Sequence, residues 1–166
     1  CFLLSFCSII LAQENEDWLP ADTIYQWGIE AYFENDDEFT AQCSLYLWNA
    51  SKFYLNNNEH KTALKYAFSE RDLSLIKYGK YSHQYAMSLG NIAKIHEAIG
   101  LYFEASDYNK QALDIEFAIC GKDSTSFITP LHNFACNVSA CGGDYIAIDF
   151  MKSAIYYKNK ANYPQE

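Results

Sequence analysis

The sequence predicts an all-α protein built from pairs of helices that repeat along the chain. The segment Leu89-Gly90-Asn91-Ile92-Ala93 matches Leu131-His132-Asn133-Phe134-Ala135 at an offset of 42 residues, which also carries Gly79-Lys80 onto Gly121-Lys122. A fixed period of this size indicates stacked supersecondary units. The composition, 50% hydrophobic with only 7 Gly and 3 Pro in 166 residues, is typical of an ordered, helix-rich chain. Apolar residues spaced three to four apart between capping residues support the same fold class.

The period divides the chain into about three repeats preceded by one helix. That first helix is predicted from Pro20 to Glu34, within a segment 17–38 that is either half of a repeat or an N-terminal cap. Repeat 1 then spans 39–80, repeat 2 spans 81–122, repeat 3 spans 123–162, and residues 163–166 begin a further repeat. The helix pairs are predicted near 41–55 and 59–78, 83–99 and 102–120, and 125–141 and 144–160. No linker rich in Pro, Gly or Ser divides the chain, so we expect one domain.

Polar residues and glycines are predicted to begin and end these helices. Thr40, Ser82 and Ser124 stand at equivalent positions before the first helix of each repeat, where a hydroxyl can accept a hydrogen bond from a free backbone N–H. Gly100 and Gly121 follow helices of repeat 2, where a residue in the left-handed backbone conformation often ends a helix.

The N-terminal segment of the chain predicts export. Residues 1–12 carry no charge and are almost wholly apolar, and the charged run 14–17 follows at once. The run is shorter than the roughly 20 residues of a spanning helix and fits the remnant, 1–13, of a truncated signal peptide. We therefore expect a periplasmic or extracellular location, and scarce Arg with plentiful Lys, Asn and Tyr suggests a bacterial source. Small apolar packing residues are the favoured interpretation for most of the remaining cysteines, Cys43, Cys120, Cys136 and Cys141.

Charge limits the classes of partner. The net charge is −9 and Arg71 is the only arginine, so the basic stripe of a nucleic-acid-binding protein is missing. The same acidity disfavours anionic membranes, and no membrane association is expected beyond the export signal.

Three short patterns resemble the tetratricopeptide repeat. Leu-x-Asn-x-Ala occurs in the first helix of a repeat, Gly-x-Tyr-x-x-Ala occurs at the turn (Gly100, Tyr102, Ala105), and Ala112-Leu113 follows in the second helix. The period of 42 is similar to the long form found in kinesin light chains and in many bacterial proteins. Repeat 1 departs from the pattern, because Asn58 replaces the turn glycine and Glu70 replaces Ala112. The resemblance implies a right-handed α-solenoid of antiparallel helix pairs over about residues 40–160.

The same resemblance implies a binding site. In this family the first helices line a concave groove that usually binds a peptide segment of a partner protein. The positions carried over to this chain are the asparagine ladder Asn49, Asn91 and Asn133, the lysines Lys52 and Lys94 three residues on, and the flanking rings of Trp48 and His132. A carboxamide offers both a donor and an acceptor to a peptide backbone, and the lysines suit a carboxylate. The alternative is purely structural, with asparagines that bridge neighbouring helices and lysines that are solvated.

Catalysis, a metal site and a cofactor are not predicted. His132 and Cys136 lie four residues apart, but the five-residue step to Cys141 leaves that helix face and no fourth ligand is evident. The chain has no Gly-rich phosphate loop and no nucleophile elbow.

The sequence therefore predicts a non-catalytic scaffold that binds a protein or peptide partner in its groove. One alternative is the N-terminal sensory or scaffold part of a longer protein with a downstream effector, such as a caspase-like protease domain. Another is a solenoid that self-assembles into a homo-oligomer through its uncovered ends.

Overall fold

The computed structural model describes residues 18–121 and 125–162, with side chains to residue 160. These residues form seven α-helices: α1 Ala21–Phe33, α2 Asp37–Asn56, α3 His60–Tyr78, α4 His83–Ala98, α5 Tyr102–Cys120, α6 Ile128–Ala140 and α7 Asp144–Asn162. The chain divides into two compact units between Lys77 and Tyr78. No helix in the described ranges is long and apolar enough to cross a membrane. The predicted leader at residues 1–13 and the start of a further repeat at 163–166 lie outside the described residues.

Unit 1 holds α1, α2 and α3 around a core of aliphatic and aromatic side chains. Ile24, Tyr46, Leu47 and Leu73 are fully buried there with several alanines. The segment before α1 is fixed to this core, because the Tyr66 hydroxyl donates a 2.8 Å hydrogen bond to the carbonyl of Leu19. The predicted N-terminal helix is thus an integral part of unit 1.

Unit 2 holds α4 to α7 as two successive helix pairs. Leu89, Ile92 and Ile95 of α4 are buried, and α4 packs against α5 through Ala112 and Ile115. Phe127, Leu131 and Ala154 form the corresponding cluster of the next pair. The small residues Ala93, Ala105 and Ala112 are at most 2% exposed, as expected for positions where two helices approach closely.

The turns agree with the repeat register. Gly100 and Gly142 have φ of +80° and +86°, and Asn58, which stands at the equivalent position of repeat 1, has φ of +62°. Asparagine tolerates this left-handed conformation better than most residues, so it can replace glycine at the turn between α2 and α3.

Two predicted helix starts are wrong. Thr40 is not the N-cap of α2, because the helix begins at Asp37 and the Asp36 carboxylate accepts a 3.0 Å hydrogen bond from the Phe39 N–H. Acidic residues at positions 37 and 38 favour this start by their interaction with the helix dipole. The start of α6 is Ile128 and not residue 125, which puts Pro130 in the first turn, where its missing N–H costs nothing. Ser124 lies outside the described residues.

Ser82 caps α4 as predicted. Its side chain accepts a 3.2 Å hydrogen bond from the Tyr85 N–H.

Glu70 keeps the repeat register although it replaces a small residue. Its side chain is buried, and its Oε1 accepts hydrogen bonds from Ser74 at 2.6 Å and Ser44 at 3.2 Å. Burial raises the pKa of Glu70 to about 7. Two small hydroxyl residues thus make room for a carboxyl group at the close approach of α2 and α3.

Candidate functional site

In unit 1, α2 presents an exposed stripe whose members lie three to four residues apart. Leu45 is 58% exposed, Trp48 is half-buried and Lys52 is exposed. The Lys52 ammonium lies 5.3 Å from the centre of the Trp48 ring, which is within the range of a cation–π contact. The apolar side chain of Leu45 and the ammonium group of Lys52, which contacts the Trp48 ring, therefore lie on the same surface of α2.

Most of the equivalent positions in unit 2 are exposed as well. Stepping by 42 residues carries the α2 stripe onto Met87, Gly90 and Lys94 of α4 and onto Thr129, His132 and Cys136 of α6. Met87 is 56% exposed, and Lys94, Thr129, His132 and Cys136 are exposed as well. We call the three positions on α2 the exposed stripe of unit 1, and the six positions on α4 and α6 the exposed stripe of unit 2. None of the nine carries an acidic residue.

The asparagine ladder lies beside the exposed stripe of each unit and mostly below the surface. Asn49 and Asn133 are half-buried, and Asn91 is only 4% exposed. One residue along a helix corresponds to a rotation of about 100°, which is enough to turn these positions away from solvent. Of the seven predicted site residues, Lys52, Lys94 and His132 are the ones fully on the surface.

A hydrogen-bond network that sequence reasoning missed connects three helices of unit 2. The Glu97 carboxylate accepts a 2.8 Å hydrogen bond from the Asn137 side-chain amide and a 3.3 Å bond from that of Asn109. Asn109 and Asn137 are at most 2% exposed. These contacts connect α4, α5 and α6. Neither asparagine recurs at the 42-residue period, so the repeat pattern does not point to them.

A cavity of about 730 Å³ adjoins the exposed stripe of unit 2 between α6 and α7. Thr129 and His132 belong both to the stripe and to the cavity wall. Its other lining residues are Thr125, Ile128, Met151, Ala154, Ile155 and Lys158. The wall is largely apolar, with two hydroxyls, an imidazole and an ammonium group, which is the usual character of a site for a small group or a side chain.

The four cysteines within the described residues are free thiols in several environments. Cys43 is buried in unit 1, and burial raises the pKa of its thiol to about 12. Cys120 is partly exposed, and Cys136 and Cys141 are exposed. Internal packing is therefore the wrong interpretation for Cys136 and Cys141, because the first stands on the exposed stripe of unit 2 and the second is the C-cap of α6.

Comparison with known proteins finds similar solved structures but no match to a family model or a curated protein. A crystal structure of nearly identical TPR-like repeats, from a Podospora anserina protein described as a kinesin light chain, superposes with a TM-score of 0.63 at 12% identity, over 85% of this chain and 76% of that one. A point variant of the same protein gives a TM-score of 0.64 at 14% identity, over 93% of this chain and 83% of that one. The chain therefore has the all-α, TPR-like repeat fold that the resemblance of its sequence predicted.

Proposed function

We propose that this protein is a non-catalytic interaction scaffold that binds an extended peptide segment of a partner protein along the exposed stripe of unit 2. The observation that carries the proposal is the stripe itself. Repeats 1 and 2 have an exposed apolar side chain (Leu45, Met87) and an exposed lysine (Lys52, Lys94) at equivalent positions, where a folded chain would ordinarily place polar residues of mixed charge.

Charge complementarity defines the class of peptide. The chain as a whole has a net charge of −9, yet the ionisable side chains of the two stripes are Lys52, Lys94, His132 and Cys136. A segment that carries a carboxylate beside an apolar side chain matches this surface, because Lys94 can pair with the acid while Met87 covers the apolar group. In unit 2 the cavity adds Lys158 and an apolar wall next to His132.

Selection from a random peptide library, followed by affinity measurement by fluorescence anisotropy, tests the proposal. We expect the selected peptides to share an acidic residue next to an apolar one. Lys94→Glu and Met87→Ala should each weaken binding roughly tenfold, equivalent to about 1.4 kcal/mol. Binding should also weaken as salt is raised.

Lys110→Glu is the matched control. It makes the same charge change at an exposed lysine of unit 2, but on α5 and away from the stripe. Binding should be nearly unaffected by this variant. Selected peptides that bind wild type and Lys94→Glu with equal affinity would show that the stripe is not the site.

Self-association through α7 is a second candidate, which a specific observation favours. Five large apolar residues of this helix are exposed: Tyr145 90%, Ile146 59%, Ile148 46%, Ile155 59% and Tyr156 62%. Exposed apolar area of this extent on one helix is characteristic of an interaction surface. Light scattering coupled to size exclusion should show a species larger than 19.1 kDa, and Ile155→Lys with Tyr156→Glu should return it to the monomer mass. A wild-type protein that is monomeric at high concentration would rule this candidate out.

A further inference from the structure

Three side chains with metal-ligating groups come together at one end of the α4–α5 helix pair in unit 2. His83 is the first residue of α4, and Glu116 and Cys120 lie one turn apart at the end of α5. Their ligand atoms all lie within 4.8 Å of one another. The sequence separates His83 from the other two by 33 and 37 residues, so the fold brings together groups that no local motif contains.

The imidazole of His83 lies between the carboxylate and the thiol. Its Nδ1 is 2.8 Å and 2.9 Å from the two oxygens of Glu116, and its Nε2 is 3.7 Å from the Cys120 Sγ. Glu116 is only 5% exposed. An ionised carboxylate can only accept hydrogen bonds, so the proton of His83 belongs on Nδ1. In the neutral ring, the lone pair of Nε2 is then available on the side of Cys120.

This is the arrangement that histidine ligands of metal ions usually show. One ring nitrogen donates to a carboxylate, which fixes the tautomer and the orientation of the ring, and the other nitrogen binds the metal. A tetrahedral Zn²⁺ with bonds of about 2.3 Å to sulfur and about 2.05 Å to nitrogen separates those two ligand atoms by about 3.6 Å. The observed 3.7 Å between the Cys120 sulfur and Nε2 matches that separation without rearrangement.

We propose that Cys120 and His83 bind Zn²⁺ or a metal ion of similar chemistry, with Glu116 as the residue that positions the imidazole. A thiolate and an imidazole together favour zinc over the hard cations Mg²⁺ and Ca²⁺. The His83 side chain is 48% exposed, so the ion can enter from solvent and water can occupy its remaining coordination positions. The ion would join the start of α4 to the end of α5.

The pair His132 and Cys136 provides an internal comparison. The Cys136 sulfur lies 3.8 Å from both ring nitrogens of His132. A sulfur equidistant from the two nitrogens lies in the lone-pair direction of neither, so this pair is not arranged to chelate an ion. The pair has the same two ligand types at a similar distance, but no carboxylate in the described part of the chain accepts a hydrogen bond from the His132 ring.

Titration of the reduced protein with Co²⁺, which replaces Zn²⁺ and is visible spectroscopically, tests the proposal. We expect one equivalent to produce a thiolate-to-cobalt charge-transfer band, and Zn²⁺ to abolish it by competition. Cys120→Ser should remove the band, whereas the matched Cys136→Ser should retain it. His83→Gln should weaken Co²⁺ binding at least about tenfold. Removing a residue that only supports a ligand already costs about tenfold or more, and His83 is a ligand itself.

Glu116→Gln separates a positioning role from a purely structural one. The variant should keep the sulfur–cobalt band, because Cys120 is intact, but its apparent affinity for Co²⁺ should fall about tenfold. Unchanged affinity in Glu116→Gln would overturn the positioning role. No charge-transfer band at saturating Co²⁺, or a band lost in Cys136→Ser and kept in Cys120→Ser, would overturn the site.

A measurement on the wild-type protein guards against variants that fail to fold. In ¹⁵N-labelled protein, Zn²⁺ should shift the Nε2 resonance of His83 far more than its Nδ1 resonance, and should leave His132 unaffected. A Zn²⁺-dependent shift confined to His132, or none at either histidine, would show that His83 and Glu116 form an ion pair only.

Discussion

Replacing Glu70 by glutamine should remove most of the pH dependence that this one residue imposes on the stability of unit 1. Glu70 is 4% exposed, and its Oε1 accepts hydrogen bonds from Ser44 and Ser74, while its Oε2 is buried with no hydrogen-bond partner. Burial in the core penalises the charged form, although the two hydroxyls partly offset this effect. The pKa of Glu70 consequently rises from its ordinary 4.5 to about 7.

The magnitude follows from these two values. Below pH 4.5 the carboxyl is protonated in both states and costs nothing. As the pH rises above 4.5, the unfolded state releases the proton first, so stability is lost until the folded state also ionises near pH 7. At about 1.4 kcal/mol per pH unit, the loss between pH 5 and pH 8 is about 2.5 kcal/mol.

Urea unfolding followed by tryptophan fluorescence provides the assay, because Trp18, Trp27 and Trp48 all lie in unit 1. The Gln amide in place of Oε2 leaves a buried donor unpaired at a cost of about 1–3 kcal/mol, but this cost is the same at both pH values. We therefore expect the change in unfolding free energy from pH 5 to pH 8 to be about 2.5 kcal/mol less unfavourable in Glu70→Gln than in wild type.

Glu30→Gln is the control, since Glu30 is an exposed carboxylate of α1 in the same unit. This variant should keep the wild-type pH dependence. If Glu70→Gln and wild type lose equal stability between the two pH values, the buried carboxyl does not titrate as the structure requires, and the reasoning is refuted.

Other substitutions should separate burial from exposure, each measured by urea or thermal unfolding. Gly28→Ala should destabilise the protein by about 1–2 kcal/mol, because its Cβ would lie 2.6 Å from a core leucine methyl. Gly90→Ala should stabilise the protein by about 0.5–1 kcal/mol, because the added Cβ meets no atom within 4 Å in the middle of α4. Loss of the α4 cap in Ser82→Ala should cost about 1 kcal/mol. Asn91→Ala should cost about 1–3 kcal/mol because this polar side chain is buried, whereas Lys94→Ala at the exposed stripe of unit 2 should change stability by less than about 0.5 kcal/mol. If Gly28→Ala and Gly90→Ala changed stability equally, or if Asn91→Ala and Lys94→Ala did, the difference in burial between the two residues would be contradicted.

Features that depend on neighbouring residues could be predicted from the sequence. The left-handed turns at Gly100 and Gly142 and the equivalent role of Asn58 follow from a local conformational preference that recurs at one position of each repeat. The cap at Ser82 follows from the preference of serine for this position. The error at the start of α2 has the same local origin. Both Asp36 and Thr40 are good capping residues, and the repeat register favoured Thr40, whereas the acidic first turn favoured Asp36.

Side-chain contacts between distant residues that do not recur with the repeat could not be predicted. Glu97 accepts hydrogen bonds from asparagines 12 and 40 residues away, and His83 meets Glu116 and Cys120 across 33 and 37 residues. Neither group recurs with the period, so each is specific to one place in the fold. Spacing along the sequence reveals ligand groups that are close in the chain, such as His132 and Cys136, and it therefore does not show that His83 lies beside Cys120.

The position of the candidate binding surface shows what a repeat register can and cannot establish. The register correctly identifies equivalent residues, but every residue of the repeat has equivalents, so equivalence does not distinguish the exposed side of a helix from the buried side. Amphipathic patterning normally makes that distinction, and here it misleads, because Leu45 and Met87 are apolar and exposed while Asn91 is polar and buried. An exposed hydrophobic side chain is unfavourable in water, and here one is exposed at the same position of two repeats. Contact with a partner would offset that cost, which is why the exposed stripe of unit 2, and not the asparagine ladder, is the stronger candidate for the binding surface.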